Sequence, residues 1–392
     1  MKKYLVFVNI IVLFALMATP ILAESKLDPL PEPATLDIND FVGQSKLVTQ
    51  EFENDASLNF QMQIPKSFII RDQDKLKNIE KDGKIYGPIF TALGSSVGDT
   101  TRPYISVQAI ELDRLISAKN WIITKSLEWG YTLRGIEEED PEGNAFDAFY
   151  IRLDSSGNTE IVRARGFLHD TRLILVEFVL PVPLWEQGRD TQIFSIKSFE
   201  FLETFAISSP EEMNNFSYLD SFYLEYPTSW RLNRRDLGSV NTIDVNLKTT
   251  DSNNFMLAET DITVVSSKSL RDRADQMVYP FNLPKIIKDR MKVVNDMGFD
   301  IDPIMEQHDY KLSFTPEFQT TEVYPLRKKQ SSVYVTDATS DVSREFWLTV
   351  LKRPEEEGKN YIITMIAPSR TVNLYQWAIA VKAYEHMITS IR

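Results

Sequence analysis

Apolar residues alternate with polar ones from Phe222 to Tyr226, and Phe222, Leu224 and Tyr226 share one face of a predicted strand. Proline has no N–H to give to a ladder, so Pro227 marks the strand end, and Trp230 brings a large ring back towards the core. The same pattern stands earlier in the chain. Phe60, Met62 and Ile64 alternate, Pro65 ends the run, and Ser67-Phe68 repeats Ser229-Trp230. Proline, serine and aromatic agree in register, so the stretch reads as an internal repeat.

The periodicity around each copy predicts the same order of elements. In the first half, 47–52 and 58–64 read as a hairpin, 85–93 as a strand within a Gly-rich loop, and 105–110 as a strand. Asp113 to Gly130 reads as a helix. Ile116, Ile123 and Leu127 form its apolar stripe, Asp113 its cap and Gly130 its left-handed end. Strands follow near 132–138, 145–153, 160–168 and 172–180, then a helix near 185–202. The second half gives strands near 221–226, 241–249 and 256–265, a helix at 284–297, and strands near 319–325, 331–337, 343–352 and 360–367. Leu374, Trp377, Val381, Tyr384 and Ile388 mark a closing helix. Met297-Gly298-Phe299 answers Trp129-Gly130-Tyr131, and Ile366-Ala367-Pro368 answers Val179-Leu180-Pro181. The spacing between landmarks widens along the chain, which places an insertion in the second copy near 308–330.

The pattern Phe-x-Leu-x-Tyr-Pro-x-Ser-Trp near a domain start, followed by this element order, resembles the PsbP-like superfamily. The first copy departs from it with Ile64 and Phe68 in place of tyrosine and tryptophan. The resemblance covers about 46–205 and 217–392. It implies an α+β fold of two tandem PsbP-like domains, each a central antiparallel sheet flanked by helices. It also implies a non-enzymatic binding or assembly role, with a partner that differs from member to member. The expected organisation is a signal peptide at 1–23, a proline-rich linker at 24–45, a first domain at 46–205 and a second at 206–392.

Composition adds the compartment. Lys2 and Lys3 precede an apolar run from Leu5 to Met17, and Ala23 offers a small residue for cleavage. This reads as a secretory signal, with a retained N-terminal anchor as the alternative. No later stretch is apolar enough to span a membrane. The expectation is therefore an exported, periplasmic or secreted bacterial protein. The chain has no cysteine, which excludes disulfides, a lipidated cysteine and thiolate metal sites. Its formal charge of -13 opposes general binding to nucleic acid or to anionic membrane surfaces.

Candidate chemistry is sparse. Gly94-Ser95-Ser96-Val97-Gly98 matches a nucleophile elbow in letters, but Asp99 to Pro103 is poor helix material where that elbow needs a helix. His169, His308 and His386 are scattered, none with a ligand at metal spacing. Glu137 to Asp140 and Glu355 to Glu357 read as solvated acidic turns. No catalytic set, cofactor site or metal site is assigned. The expected function is a non-catalytic binding or assembly factor that contacts an envelope protein. The alternative is a small-ligand receptor or hydrolase using the interdomain cleft. The contact is expected on Phe314, Phe318, Tyr324, Arg327 and Lys328, an aromatic and basic stretch in the inserted segment of an acidic chain. The two domain cores are expected to be buried separately, and the tether to give the protein reach.

Overall fold

The computed structural model describes residues 27–53, 55–71, 80–81, 84–85, 88–96, 101–140, 142–218, 222–234, 242–266, 283–329, 342–354 and 358–392. The signal, the strand expected at 331–337 and the acidic turn at Glu355 to Glu357 lie outside them.

A short helix α1 (Ile38–Gln44) leads into a ribbon of β1 (Ser45–Gln50) and β2 (Phe60–Pro65). Next come β3 (Ile69–Ile70), a separate small hairpin of β4 (Glu80–Lys81) and β5 (Lys84–Ile85), β6 (Pro88–Leu93) and β7 (Tyr104–Glu111). Helix α2 (Ala118–Trp129) precedes β8 (Thr132–Glu138), β9 (Ala145–Leu153), β10 (Thr159–His169) and β11 (Arg172–Pro181). Helix α3 (Trp185–Lys197) and the two-residue β12 (Glu200–Phe201) close this half. The second half runs β13 (Met213–Tyr218), β14 (Phe222–Pro227), β15 (Arg231–Arg234), β16 (Thr242–Thr250) and β17 (Met256–Ser266), then α4 (Leu283–Asp296). It finishes with β18 (Phe299–Ile301), β19 (Glu306–His308), β20 (Phe318–Lys328), β21 (Val342–Lys352), β22 (Lys359–Pro368) and α5 (Leu374–Thr389).

The fold is α+β, and the two large sheets are antiparallel. The first has the order β3-β6-β7-β11-β10-β9-β8, the second β15-β16-β17-β22-β21-β20-β18 with β19 also on β20. The two orders match strand for strand. Alternate residues of the central strands feed opposite faces, as a pleated strand requires. Val176 and Phe178 of β11 pack with Ile196 and Phe199 at the end of α3, while Leu173, Leu175 and Val179 pack with Trp121 and Ile122 of α2. In the second sheet Ile363 and Met365 of β22 pack with α5, and Ile362 and Ile366 with Val294 of α4. Each sheet therefore carries one helix on either face.

The repeated stretch lies in the small ribbons beside these sheets. Phe60, Met62, Ile64, Phe222 and Leu224 are buried, and β2 and β14 both end at the expected proline. A serine that caps each closing helix ties it to the ribbon. The Gln63 amide donates to Ser198 Oγ (2.8 Å) and the Glu225 amide to Ser390 Oγ (2.9 Å). Sequence reading passed over both serines, because their role needs a strand more than a hundred residues away.

Three expectations change. First, the helix read from Asp113 starts at Ala118, because Ser117 Oγ takes the Asn120 amide and caps it. Gly130 does end it in the left-handed region, with φ 71°. The buried face runs through Ala118, Trp121, Ile122 and Ser126, beside the expected stripe, and Leu127 faces solvent. Second, the described part of the proline-rich segment is packed. The Ala34, Thr35 and Leu36 amides all donate to the Asp190 carboxylate on α3, at 2.7–3.1 Å. Burial alone would raise the Asp190 pKa, but those amides outweigh it and hold the carboxyl well below its usual range. Phe41 is buried against Phe194, with ring centroids 5.4 Å apart. The Asp28 carbonyl runs so close to β8 that a Cβ on Gly135 would stand 2.7 Å from it. The segment is a strap across the first sheet and supplies no reach. Third, the cores are not separate. Trp121 and Ile122 of α2 belong to the same apolar cluster as Trp377, Ala378 and Tyr384 of α5, because α2 and α5 pack on one another.

Candidate partner-binding site

The joint between α2 and α5 is where features of both halves meet. On the second side it is built by the turn that follows Pro368. Ser369 is buried, and its carbonyl accepts from the Val372 and Asn373 amides, both at 3.0 Å. Asn373 then caps α5 by accepting the Gln376 amide. Arg370 locks the turn from beneath. Its Nε and backbone amide donate to Glu345 Oε1 (2.9 and 3.1 Å), and Nη1 and Nη2 reach Glu306 (2.5 and 3.0 Å). Trp377 Nε1 donates to Glu345 Oε2 (2.8 Å), and the guanidinium lies over the Trp377 ring at 4.5 Å. Glu345 is only 1% exposed, so its charge is held entirely by these donors. His308 bonds Glu306 at 3.2 Å and stacks on Trp347. His308 and Arg370 together hold Glu306 down at about 2 against the opposing effect of burial.

Two carboxylates and a histidine around one point would suit a metal ion, but here the Arg370 guanidinium fills that point. Among the described residues no group of three or more His, Asp and Glu is placed to hold a metal. The cluster positions backbone, and the element it positions carries Val372, 61% exposed.

The first side is the C-terminal turn of α2. Leu127 is 68% exposed and Trp129 46% exposed. Trp129 is fixed by a train of rings: Trp121 edge-on at 5.9 Å, Tyr131 at 5.4 Å, and Tyr150 stacked on Tyr131 at 5.4 Å. Tyr150 is buried and anchored by its hydroxyl to Glu177, which also pairs with Arg152 at 3.0 Å. Between the two sides lies a shallow groove of about 560 Å³, with Leu127 and Glu128 on one wall and Val372, Leu374 and Tyr375 on the other. Lys125 pairs with Glu128 at its rim (2.7 Å). The arrangement offers anchored apolar and aromatic side chains beside paired charges, the chemistry of a protein-binding surface.

The five residues singled out from the sequence do not converge. Phe318 and Lys328 stand at opposite ends of the 11-residue β20, both exposed. Tyr324 is buried between β21 and α4 and donates to Glu322 at 2.5 Å; burial raises its pKa. Arg327 pairs with Asp302 at 2.7 Å. Phe314 is half-buried in the connection before β20, with Arg353 over its ring at 4.0 Å. Tyr324 is buried because its face of β20 is covered by α4, where it shares an apolar cluster with Val294 and Phe346. The inserted length falls partly in 309–317, where Tyr310, Leu312 and Phe314 cover the core, and partly in the connection from β20 to β21. Ser96 is exposed in coil after β6. His169 is buried, stacks on Phe201 at 4.0 Å, and has its pKa lowered by burial.

The Glu306 cluster gives a pH prediction. A depressed carboxyl contributes stability that is present above its unfolded value of 4.5 and is lost as pH falls through its folded value of about 2. Glu306→Gln is therefore expected to flatten the acid side of the stability profile between pH 4.5 and 2 in urea titrations. An unchanged profile would remove Glu306 from the account.

No family model matches the sequence, and no curated protein matches it. Solved structures give partial likenesses. The Ran-binding protein Mog1p of Saccharomyces cerevisiae is 12% identical, over 41% of this chain and 96% of that one, with a TM-score of 0.27. Cyanobacterial PsbP from Synechocystis sp. PCC 6803 is 11% identical, over 49% and 98%, with a TM-score of 0.28. A chain of the Tle4–Tli4 complex is 8% identical, over 88% and 97%, with a TM-score of 0.21. At such scores the fold class rests on the strand order and helix placement described above. No helix among the described residues is long and apolar enough to cross a membrane.

Proposed function

We propose that this chain is an exported, non-catalytic binding or assembly factor. It is built from two tandem units of PsbP-like type and grips a protein partner at the joint between them. The tandem reading is supported by the matched strand orders and by the paired Ser198 and Ser390 contacts. The binding reading is carried by one observation: Leu127 and Val372 are exposed on opposite walls of one groove, although one is held by a packed helix end and the other by an ion-locked turn. Exposed apolar groups gathered on rigid supports mark contact surfaces.

The test is Leu127→Asp together with Val372→Asp. Both positions are exposed, so the thermal midpoint should stay within a few degrees. Recovery of a partner from envelope extracts should fall about 30-fold, the loss of roughly 2 kcal/mol of hot-spot contact. Undiminished recovery by the folded variant would place the contact elsewhere.

A further inference from the structure

The first unit contains a hollow that belongs neither to the joint nor to any ion cluster. It has a volume of about 280 Å³ and opens between α1, the turn after β2, the start of β7 and the first turns of α3. Its walls are Phe41, Phe68, Phe178 and Leu180. Gln187 and Thr191 stand on its rim, one helical turn apart on the same side of α3. Their side chains make no hydrogen bond to another described residue. None of the described lining residues is charged, in a chain whose residues are 25% charged.

Two lining residues differ from their matched positions in the second unit. Phe68 stands where the second unit has the larger, buried Trp230. Gly188 stands within α3 where the second unit has the buried Ala380, counting back from the capping serines 198 and 390. A mid-helix glycine costs about 1 kcal/mol relative to alanine. Here a Cβ on Gly188 would press on Leu180 at 3.1 Å. The missing methyl group lets α3 and β11 pack closely at that wall.

We propose that this hollow binds a neutral, mainly apolar small molecule carrying one hydrogen-bonding group. Aromatic and aliphatic walls take its body, and the Gln187 and Thr191 side chains take its polar group. A charged ligand is disfavoured, because no described wall residue would compensate its desolvation. The site goes beyond the partner-binding reading and stands without it.

The test uses the full chain and the neutral fluorescent probe N-phenyl-1-naphthylamine. The expected result is a saturable emission increase with one probe per chain. Thr191→Asp, which puts a charge on the rim, should weaken binding about tenfold or more. Phe68→Trp, which fills the wall as Trp230 does, should weaken it as well. Leu153→Asp, at an exposed apolar residue that does not line the hollow, should leave it unchanged. Circular dichroism establishes that each variant is folded, and if Phe68→Trp is not, the Thr191 variant decides. Emission that never saturates, parental binding by Thr191→Asp, or an equal loss in Leu153→Asp would overturn the proposal.

Discussion

Glu345→Ala is expected to lower the free energy of unfolding by about 3–5 kcal/mol, the cost of leaving a buried charge without its partner. Glu345 is the shared acceptor for the Arg370 side chain, the Arg370 amide and the Trp377 indole. Alanine leaves those donors without their shared acceptor. Glu306 still holds one side of Arg370, so the guanidinium keeps part of its compensation. That tie places the expected loss near the lower end of the range. Two controls separate lost charge pairing from lost packing. Glu345→Gln keeps the shape and one acceptor, so its loss should be smaller. A Glu345→Leu, Arg370→Met double variant removes both charges and should be more stable than Glu345→Ala. Urea unfolding measures all three. A loss below about 1 kcal/mol for Glu345→Ala would mean that the turn bearing Val372 is not locked as described.

Asp147→Ala should be at least as damaging, about 3–5 kcal/mol by the same reasoning. Arg163 is 1% exposed, and Asp147 grips it through two parallel bonds of 2.6 Å. The remaining Arg163 contact is to the Pro31 carbonyl of the strap, at 3.2 Å. Alanine at 147 therefore strands a guanidinium beneath the strap and loosens the strap with it. Hydrogen exchange at the Thr35 and Leu36 amides should rise along with the fall in stability. An Asp147→Leu, Arg163→Leu pair should recover most of the loss. If exchange at 35 and 36 stays slow in a destabilised Asp147→Ala protein, the strap is held by Asp190 alone.

The parts of this fold that were readable share a property: their signal lies within a few residues. Alternation at Phe60 to Ile64 and at Phe222 to Tyr226, the prolines that end both strands, and the glycines at 130 and 298 act locally. What was hidden depends on partners far along the chain. Asp190 looks like an ordinary polar helix residue until Ala34 to Leu36 lie across it. Glu345 and Arg370 sit on different elements, and nothing in either sequence context announces the pair. The groove at the joint was hidden for a related reason. Leu127 fits the apolar stripe of Ile116 and Ile123, but the face that packs runs through Trp121, Ile122 and Ser126 beside it. The aromatic and basic stretch at 314–328 attracted attention by composition. Both faces of β20 are covered, so the neighbours Val323 and Tyr324 are buried alike.

Site-specific photo-crosslinking in the producing cell tests the central claim most directly. A benzophenone side chain introduced at position 372, with a second chain carrying it at 318, compares the joint with the start of β20 under one set of conditions. Crosslinking from 372 to a single protein, with none from 318, is the predicted result. An adduct from 318 with none from 372 would contradict it, because the partner would then lie on the strand of the second sheet and not at the joint.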